Sequence, residues 1–399
     1  MHTVELLALS ATVVYVIVGV SYKLIQLMNL GDVYKSEKDK NKRNPNQYSV
    51  DVIVPTYNEK KDVLLDCVAS VCAQDHDGPI KIVIVDDGSA DKRGFYAVME
   101  KYIGDDRFTF IELSENRGKR AAQIAAIEST SGELILNVDS DTVIEANVVS
   151  RLSAAMEDLS VAGVMGQLVA KNYKQTWLTR IIDMEYWVTC NEERVAQSKF
   201  GSVMCCCGPC AMYRRSVVSN LIDKYKTQMF LGKESNFGED RHMTVLMLQA
   251  GFETRYVPDA IARTVVPERL VPYLRQQLRW ARSTYRDTFL AMKTVRGMGL
   301  YVAFEIFAQW AIQALMTAIL FLSFGLAIGG SPVPVIIAAI IMMMSLNKCL
   351  LLVMRLSQAR FIFFVIHTPI NVLLLTPLKL YALMTISDSR WLSRDIKST

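Results

Sequence analysis

The chain has 399 residues, room for one large or two ordinary domains. Its hydrophobic share is 51% and its charged share 21%, whereas ordinary soluble domains carry about 25% charge; disorder and fibrous repeats are both excluded. The 44 bases and 40 acids nearly cancel, to a net charge of +4, with no block that reads as a nucleic-acid footprint.

The apolar residues gather at the two ends, which indicates a membrane protein with a soluble middle. Residues 1–30 form the first apolar stretch. It carries no charge from Leu6 to Tyr22 and resumes past Lys23 as far as Met28. That is just long enough to cross a hydrocarbon core of about 30 Å. A secretory signal starts with bases and ends in small residues. Here the start is Met1-His2-Thr3-Val4-Glu5 and the end Tyr22-Lys23-Leu24-Ile25-Gln26, so an uncleaved anchor is expected. The linker 31–46 carries Lys35, Lys38, Lys40, Lys42 and Arg43. Bases beside a span stay in the cytoplasm. The N-terminus is therefore expected outside and the middle of the chain inside.

Residues 47–265 alternate short β-branched runs with helical stretches. Val50–Val54, Ile80–Val85, Phe108–Leu113 and Leu134–Val138 read as strands. Lys60–Ala73, Lys92–Tyr102 and Arg120–Ser129 read as helices between them. The alternation predicts an α/β domain, a parallel sheet with helices on both faces. Ligands of such sheets bind at the carboxyl ends of the strands.

Polar clusters stand at three of those ends. Pro55-Thr56-Tyr57-Asn58-Glu59 offers an aromatic face on which a base can stack. Asp86-Asp87-Gly88-Ser89 is either a plain turn or a carboxylate that accepts hydrogen bonds from uracil or ribose. Asp139-Ser140-Asp141 puts two carboxylates two residues apart, a spacing that can share Mg²⁺ or Mn²⁺ with a phosphate. No glycine-rich phosphate loop accompanies them, which disfavours ATP or a dinucleotide and suits a metal-held nucleotide-sugar. Asn116-Arg117-Gly118-Lys119-Arg120 opens a helix, and its N–H groups with Lys119 and Arg120 either receive a diphosphate or form a solvated basic turn.

Asp240, in Gly238-Glu239-Asp240-Arg241-His242, is either a helix cap or the general base for an attacking hydroxyl. His242 reads as structural. Cys205-Cys206-Cys207-Gly208-Pro209-Cys210 holds four of the eight cysteines. They read as reduced cytoplasmic thiols in close packing, since no second cysteine pair completes a zinc set.

In 266–299, interfacial helices are expected. Gln276, Arg279 and Trp280 fall at i, i+3 and i+4 on one face. Arg279 suits a diphosphate and Trp280 a sugar ring; the same pattern also suits a helix at the membrane surface. Residues 300–386 hold three further apolar segments, Tyr301–Gly330, Pro332–Met354 and Phe361–Ile386, with Glu305, Lys348 and Lys379 one in each. Such charges face a protein interior or an aqueous path, or snorkel from helix ends.

The order Asp87, Asp139-Ser140-Asp141, Gly238-Glu239-Asp240, Gln276-x-x-Arg279-Trp280 resembles the processive family 2 glycosyltransferases, which include cellulose, chitin and hyaluronan synthases. Longer stretches resemble the rhizobial chitooligosaccharide synthases of the nodulation protein C family. They are Ile182–Trp187, Cys190–Arg194, Cys205–Arg215 and Tyr273–Thr284. The resemblance runs over nearly the whole chain. It implies a GT-A-type (Rossmann-like) domain that joins N-acetylglucosamine units from UDP-GlcNAc in β-1,4 linkage onto a growing chitooligosaccharide.

It implies that Asp87 and Asp139 contact UDP, with Tyr57, Glu59 and Lys119 beside them. Asp141 would hold the metal, and Asp240 would be the base. Gln276, Arg279 and Trp280 would frame the acceptor end and the diphosphate. The location implied is a bacterial inner membrane, multi-pass, with the domain cytoplasmic. Hyaluronan synthases share these motifs, but usually place two apolar segments before the domain and end in Trp-Gly-Thr-Arg where this chain reads Trp391-Leu392-Ser393-Arg394. A nucleotide-sugar sensor would need neither Asp240 nor the Gln-x-x-Arg-Trp helix. In the tail 387–399, Arg390, Arg394 and Lys397 prefer the cytoplasm, and Pro369, Pro377 and Lys379 break the last apolar segment. A broken last segment that returns Trp391 and Arg394 to the donor pocket is expected.

Overall fold

The computed structural model describes residues 2–30, 48–292 and 299–389. The basic linker residues and Trp391 and Arg394 lie outside these.

The central strand-forming runs are buried on both faces, as a covered sheet requires. β1 (Val50–Thr56) and β4 (Leu134–Asn137) are buried along their whole lengths. β2 (Ile80–Asp86) and β3 (Phe108–Glu112) complete the first half. β1 runs two residues past the expected end, through Pro55. Its register with β4 ends at Ile53, so Pro55 sits where β1 keeps only β2 as a neighbour and the missing N–H is tolerated. Helix α1 (His2–Met28) precedes this domain. Helix α2 (Lys61–Cys72) covers the sheet with Leu64, Cys67, Val68 and Val71, a helical apolar stripe. α3 (Arg93–Tyr102) and α4 (Lys119–Glu128) fill the next crossovers.

Six further strands follow: β5 (Val143–Ile144), β6 (Val161–Ala170), β7 (Ala211–Arg214), β8 (Met229–Phe230), β9 (Lys233–Glu234) and β10 (Glu253–Thr264). The main sheet has eight strands in the order β3-β2-β1-β4-β7-β6-β10-β5, and β8-β9 is a separate hairpin. β1 to β4 are mutually parallel, as expected. The whole sheet is mixed. β7 runs antiparallel between β4 and β6, and β5 runs antiparallel on β10. Both strands are too short to carry a readable periodicity, and their direction is set by the neighbours whose free edges they fill.

α5 (Val148–Ala155) packs under β6 and β10. α6 (Trp177–Val188) starts in a capping box between Thr176 and Thr179 and runs on as a π-helix, Thr189–Arg194. α7 (Val195–Lys199), α8 (Arg215–Lys226), α9 (Glu239–Gln249) and α10 (Leu270–Met292) follow. α9 is buried on nearly every side from His242 to Leu248, which makes its first turn a fixed point.

Among the described residues, four segments are long and apolar enough to cross a membrane: α1, α11 (Leu300–Ile328), α12 (Val333–Leu356) and the composite stretch Ala359–Met384. The last is irregular. It passes from a 3₁₀ turn (Ala359–Ile366) through one α turn and a π-helix (Asn371–Leu375) into a final α-helix (Thr376–Met384). Glu305 faces inward, where Tyr22 Oη (2.7 Å), Gln197 Nε2 (2.8 Å) and Gln309 Nε2 (2.9 Å) donate to it. Ion pairs fasten these segments to the α6–π stretch. Glu192 takes Lys23 of α1 and, at 3.4 Å, Arg355 of α12; Asp183 takes Arg360 at 3.1 Å.

Arg215 ties β1 to β7 from within. It pairs with buried Asp51 at 2.5 Å and donates to Ile127 O (2.8 Å) and Thr130 Oγ1 (2.9 Å). Removing one partner of a buried pair strands the other charge, at about 3–5 kcal/mol. Arg215→Met should therefore lower the unfolding free energy of the detergent-solubilised protein by that amount. A change within about 1 kcal/mol would put the pair in the class of surface bridges.

Candidate active site

In the sheet order, chain sequence reverses between β1 and β4, so the crevice beyond their carboxyl ends is the binding position of such folds. All three strand-end clusters open there. Thr56 is in register with Asp86, and Ile53 with Asn137, so Tyr57, Asp87 and Asp139 leave three adjacent strands together. Asp87 Oδ1 accepts the Arg117 N–H at 2.8 Å, which brings the Asn116–Gly118 loop to the same place. A cavity of ≈ 870 Å³ lies alongside, lined by Tyr57, Asn116, Arg117 and Gly118 among others.

Glu59 and Ser140 join the first and third clusters, with Ser140 Oγ donating to Glu59 Oε2 at 2.9 Å. Asp141 accepts from Thr264 Oγ1 of β10 at 3.2 Å. Burial, and then the nearby carboxylates of Asp139 and Glu59, push its carboxyl up to about 7. A carboxyl so crowded by like charge is one a cation would relieve, and its neighbours are hard oxygen donors.

Lys119, the first residue of α4, does not stand open for a phosphate. Its ammonium pairs with Asp139 Oδ1 at 2.5 Å and with Glu239 Oε1 at 3.2 Å. Burial opposes its charge, but Asp139, Glu239 and Asp240 together hold it protonated. Burial also opposes the charge of Glu239, and Lys119 overrides it to keep this carboxylate ionised. Arg120, expected beside Lys119, points elsewhere, because consecutive helical side chains diverge. It is buried, donates to Tyr225 O at 3.0 Å and stacks on the Tyr225 ring.

The N-cap of α9 is Gly238, at φ 85°, so Asp240 lies in the first turn and does not cap the helix. A β-carbon at Gly238 would meet Ser283 Oγ of α10 at 1.8 Å. Only glycine allows the start of α9 to touch α10. Asp240 is held by two backbone donors, Gly208 N at 3.1 Å and Arg241 N at 2.8 Å. Burial and the Glu239 charge raise its carboxyl, the direction a general base needs. His242 stacks by Tyr225, and burial and then Arg120 push it down to about 3, which leaves it neutral as a packing residue.

Gln276, Arg279 and Trp280 part company on α10. Arg279 lies near enough to help keep Glu239 ionised. Gln276 has a buried Oε1 that accepts no hydrogen bond among the described residues. Trp280, with Gln277, Arg241 and Arg194, lines a second cavity of ≈ 840 Å³. This cavity continues between the membrane segments past Glu185, Glu193, Trp310, Lys348 and Lys379. The intramembrane lysines thus face an interior space.

The cysteine stretch holds one surprise. All eight cysteines are free. Cys206 and Cys210 are packed in the core as expected. Cys205 and Cys207 are not merely packed. Their sulfurs are 3.9 Å apart, and with an Asp240 oxygen they form a group whose ligand atoms all lie within 4.8 Å of one another. Sequence spacing could not show this, because the third member comes from another element. Glu239, Gln277 and Arg241 were likewise missed, although all three adjoin residues singled out above.

Fold and site together define a GT-A-type glycosyltransferase. The family model described as "Glycosyl transferase family 2" matches residues 51–222. An N-acetylglucosaminyltransferase of Azorhizobium caulinodans is 56% identical over 99% of this chain and 100% of its own. One of Rhizobium meliloti is 49% identical over 99% of this chain and 93% of its own. Among solved structures, a mannosyltransferase of Pyrobaculum calidifontis in complex with GDP-Man and Mn²⁺ is similar in fold, with TM-score 0.64 and 20% identity over 93% of this chain and 99% of that one. The chain belongs to glycosyl transferase family 2, in a branch with the rhizobial N-acetylglucosaminyltransferases, and is an enzyme.

A cation held beside the raised carboxyl of Asp141 would bind in a pH-dependent way. Its ordinary value is 3.8 and its folded value about 7, so the folded chain holds the proton longer than the unfolded one. This group therefore withdraws stability as pH rises between those values, and a bound cation restores it. Affinity for Mn²⁺, read by titration calorimetry, should fall steadily as pH drops below about 7, and Asp141→Asn should flatten that dependence. An unchanged slope in the variant would assign the proton to another group.

Proposed function

We propose that this enzyme is a processive, inverting transferase that adds N-acetylglucosamine from UDP-GlcNAc to a growing β-1,4-linked chitooligosaccharide. The observation that carries it is the division of carboxylates. Glu59, Asp139 and Asp141 leave the strand ends, while Asp240 comes from α9, is joined to the Asp139 side through Lys119, and is followed by Arg241 on the wall of the cavity that Trp280 lines. One set suits a donor and the other an acceptor.

In this reading Tyr57 and Asp87 hold the uridine side, and Asp139 meets the UDP moiety. Asp141 would be the metal ligand, and Mg²⁺ or Mn²⁺ would neutralise charge on the leaving UDP. Arg279 and Lys119 add positive charge near the diphosphate. Asp240 takes the proton of the acceptor hydroxyl as that oxygen attacks the anomeric carbon and UDP departs. A single displacement turns the α-linked donor into a β-linked product. Trp280 and Gln276 receive the acceptor end, and the chain extends into the membrane-side cavity.

The domain division follows: an anchor to residue 30, a linker, a transferase domain over 47–265, the α10 region, and the membrane segments. The bases flanking the spans favour a bacterial inner membrane, with the domain on the cytoplasmic side. Hyaluronan synthesis uses the same motifs, and the names of the close relatives favour N-acetylglucosamine alone. Incubating the purified protein with UDP-GlcNAc, alone and with UDP-glucuronate, and weighing the products decides. Incorporation of glucuronate would overturn the reading.

Two variants test the roles. Asp240→Asn should cut polymer formation by about 10²–10⁴-fold with UDP-GlcNAc binding nearly intact. Near-normal turnover would remove Asp240 from the chemistry. Asp141→Ala should abolish the Mn²⁺ enhancement of UDP-GlcNAc affinity; full enhancement in the variant would place the metal ligand elsewhere.

A further inference from the structure

Cys205 and Cys207 are two apart on an extended segment, so their side chains share a side while Cys206 turns away. Cys206 is anchored into the core, its N–H donating to Thr244 Oγ1 at 2.9 Å and its C=O accepting from Tyr213 Oη at 3.1 Å. The next residues bend into the short 3₁₀ turn Gly208–Cys210, and the Gly208 N–H holds Asp240. Backbone bonds thus fix all three would-be ligands, two on one side of the contact and one on the other.

Their spacing is that of a metal set. Zinc binds thiolate at about 2.3 Å and carboxylate at about 2.0–2.2 Å. A tetrahedron of those bonds has S···S edges of about 3.8 Å and S···O edges of about 3.5 Å. The sulfurs are already 3.9 Å apart. The Asp240 oxygen lies within 4.8 Å of both, so a modest rotation of its carboxylate closes the set. Two thiols and one carboxylate form a soft donor set, unlike the oxygen cluster around Asp141.

We propose that Cys205, Cys207 and Asp240 form an inhibitory site for a thiophilic divalent cation of the Zn²⁺ class, which binds the enzyme by seizing the carboxylate assigned above as the base. The inhibitory part rests on that assignment; the binding site itself does not. Water supplies the fourth ligand. The cation enters as each thiol gives up its proton to solvent, and no oxidant is involved. The Cys205 hydrogen bond and the Arg194 guanidinium favour the thiolate of Cys207, which eases the first step. Mg²⁺ and Mn²⁺ prefer oxygen donors, so the cation needed for transfer does not compete here.

The test uses the full-length protein in detergent with saturating Mg²⁺. Cd²⁺ serves as the spectroscopic probe, through its ultraviolet thiolate charge-transfer band, and Zn²⁺ as the inhibitor of transfer from UDP-GlcNAc. Wild type should show the band and lose activity. The Cys205→Ser/Cys207→Ser double variant should lack the band and keep its activity in Mg²⁺ without Zn²⁺. Its half-inhibitory Zn²⁺ concentration should rise by at least about 10–100-fold, the cost of losing even an outer partner of a metal site. The two single variants, each nearly isosteric, should fall between and guard against misfolding of the double one. A band or an inhibition that persists unchanged in the double variant would put the ion elsewhere and overturn the proposal. A band that depends on both cysteines, with no effect on transfer, would keep the site and overturn the role of Asp240.

Discussion

The charge balance of the site depends on the enclosed ammonium of Lys119. Lys119 sits among Asp139, Glu239 and Asp240, and without it the three carboxylates would repel one another across a poorly solvated space. At an effective dielectric of about 20, two unit charges at 4 Å interact by about 4 kcal/mol. Such a repulsion is enough to push one carboxyl into its neutral form or to open the site. Lys119 removes that choice. It also joins the end of β4 to the start of α9, two elements that have no sheet hydrogen bond in common. The carboxylates at the strand ends and those of α9 are therefore held together at one place.

That arrangement explains where the sequence was readable and where it was not. Tyr57, Asp87, Asp139 and Asp141 were legible because each follows a buried β-branched run, and strand-end placement is a local property. The switch between β1 and β4 then brings the clusters together. Lys119 was legible as a residue of the crevice, but its carboxylate partners were not. A base at a helix start suggests an anion, and nothing local says that the anions are the protein's own carboxylates. Arg120 shows the same limit from the other side. Its neighbour faces the site, but a helix turns by about 100° per residue, and the Tyr225 ring and carbonyl that claim it come from α8. The direction of β7 was illegible because four residues carry no periodicity, and only the free edges of β4 and β6 decide it. The metal-like spacing of Cys205, Cys207 and Asp240 was hidden for a similar reason.

The membrane segments depend on the soluble domain for their placement. The capping box at Thr176 fixes the start of α6, and the π-helix that follows inserts an extra residue per turn, which rotates Glu192 away from the α-helical face. Glu192 is buried and draws Lys23 of α1 and Arg355 of α12 to one point. Leaving that carboxylate unpaired would be costly in so dry a place, so both membrane helices are constrained by a residue of the domain. The π-helix carries Glu192 to the point where both pairs form.

The same stretch carries Glu185 and Glu193 on the wall of the membrane-side cavity, and Trp280 and Arg241 line its other side. The position of that cavity relative to Asp240 is thus set by two contacts. One is the clamp at Glu192, which sets the membrane helices against α6. The other is the touch of Gly238 on Ser283, which sets α9 against α10. A side chain at residue 238 would be strained at its positive φ and would collide with the Ser283 side chain of α10. The contact between α9 and α10 therefore requires the absence of a side chain at one position, two residues before the carboxylate of Asp240.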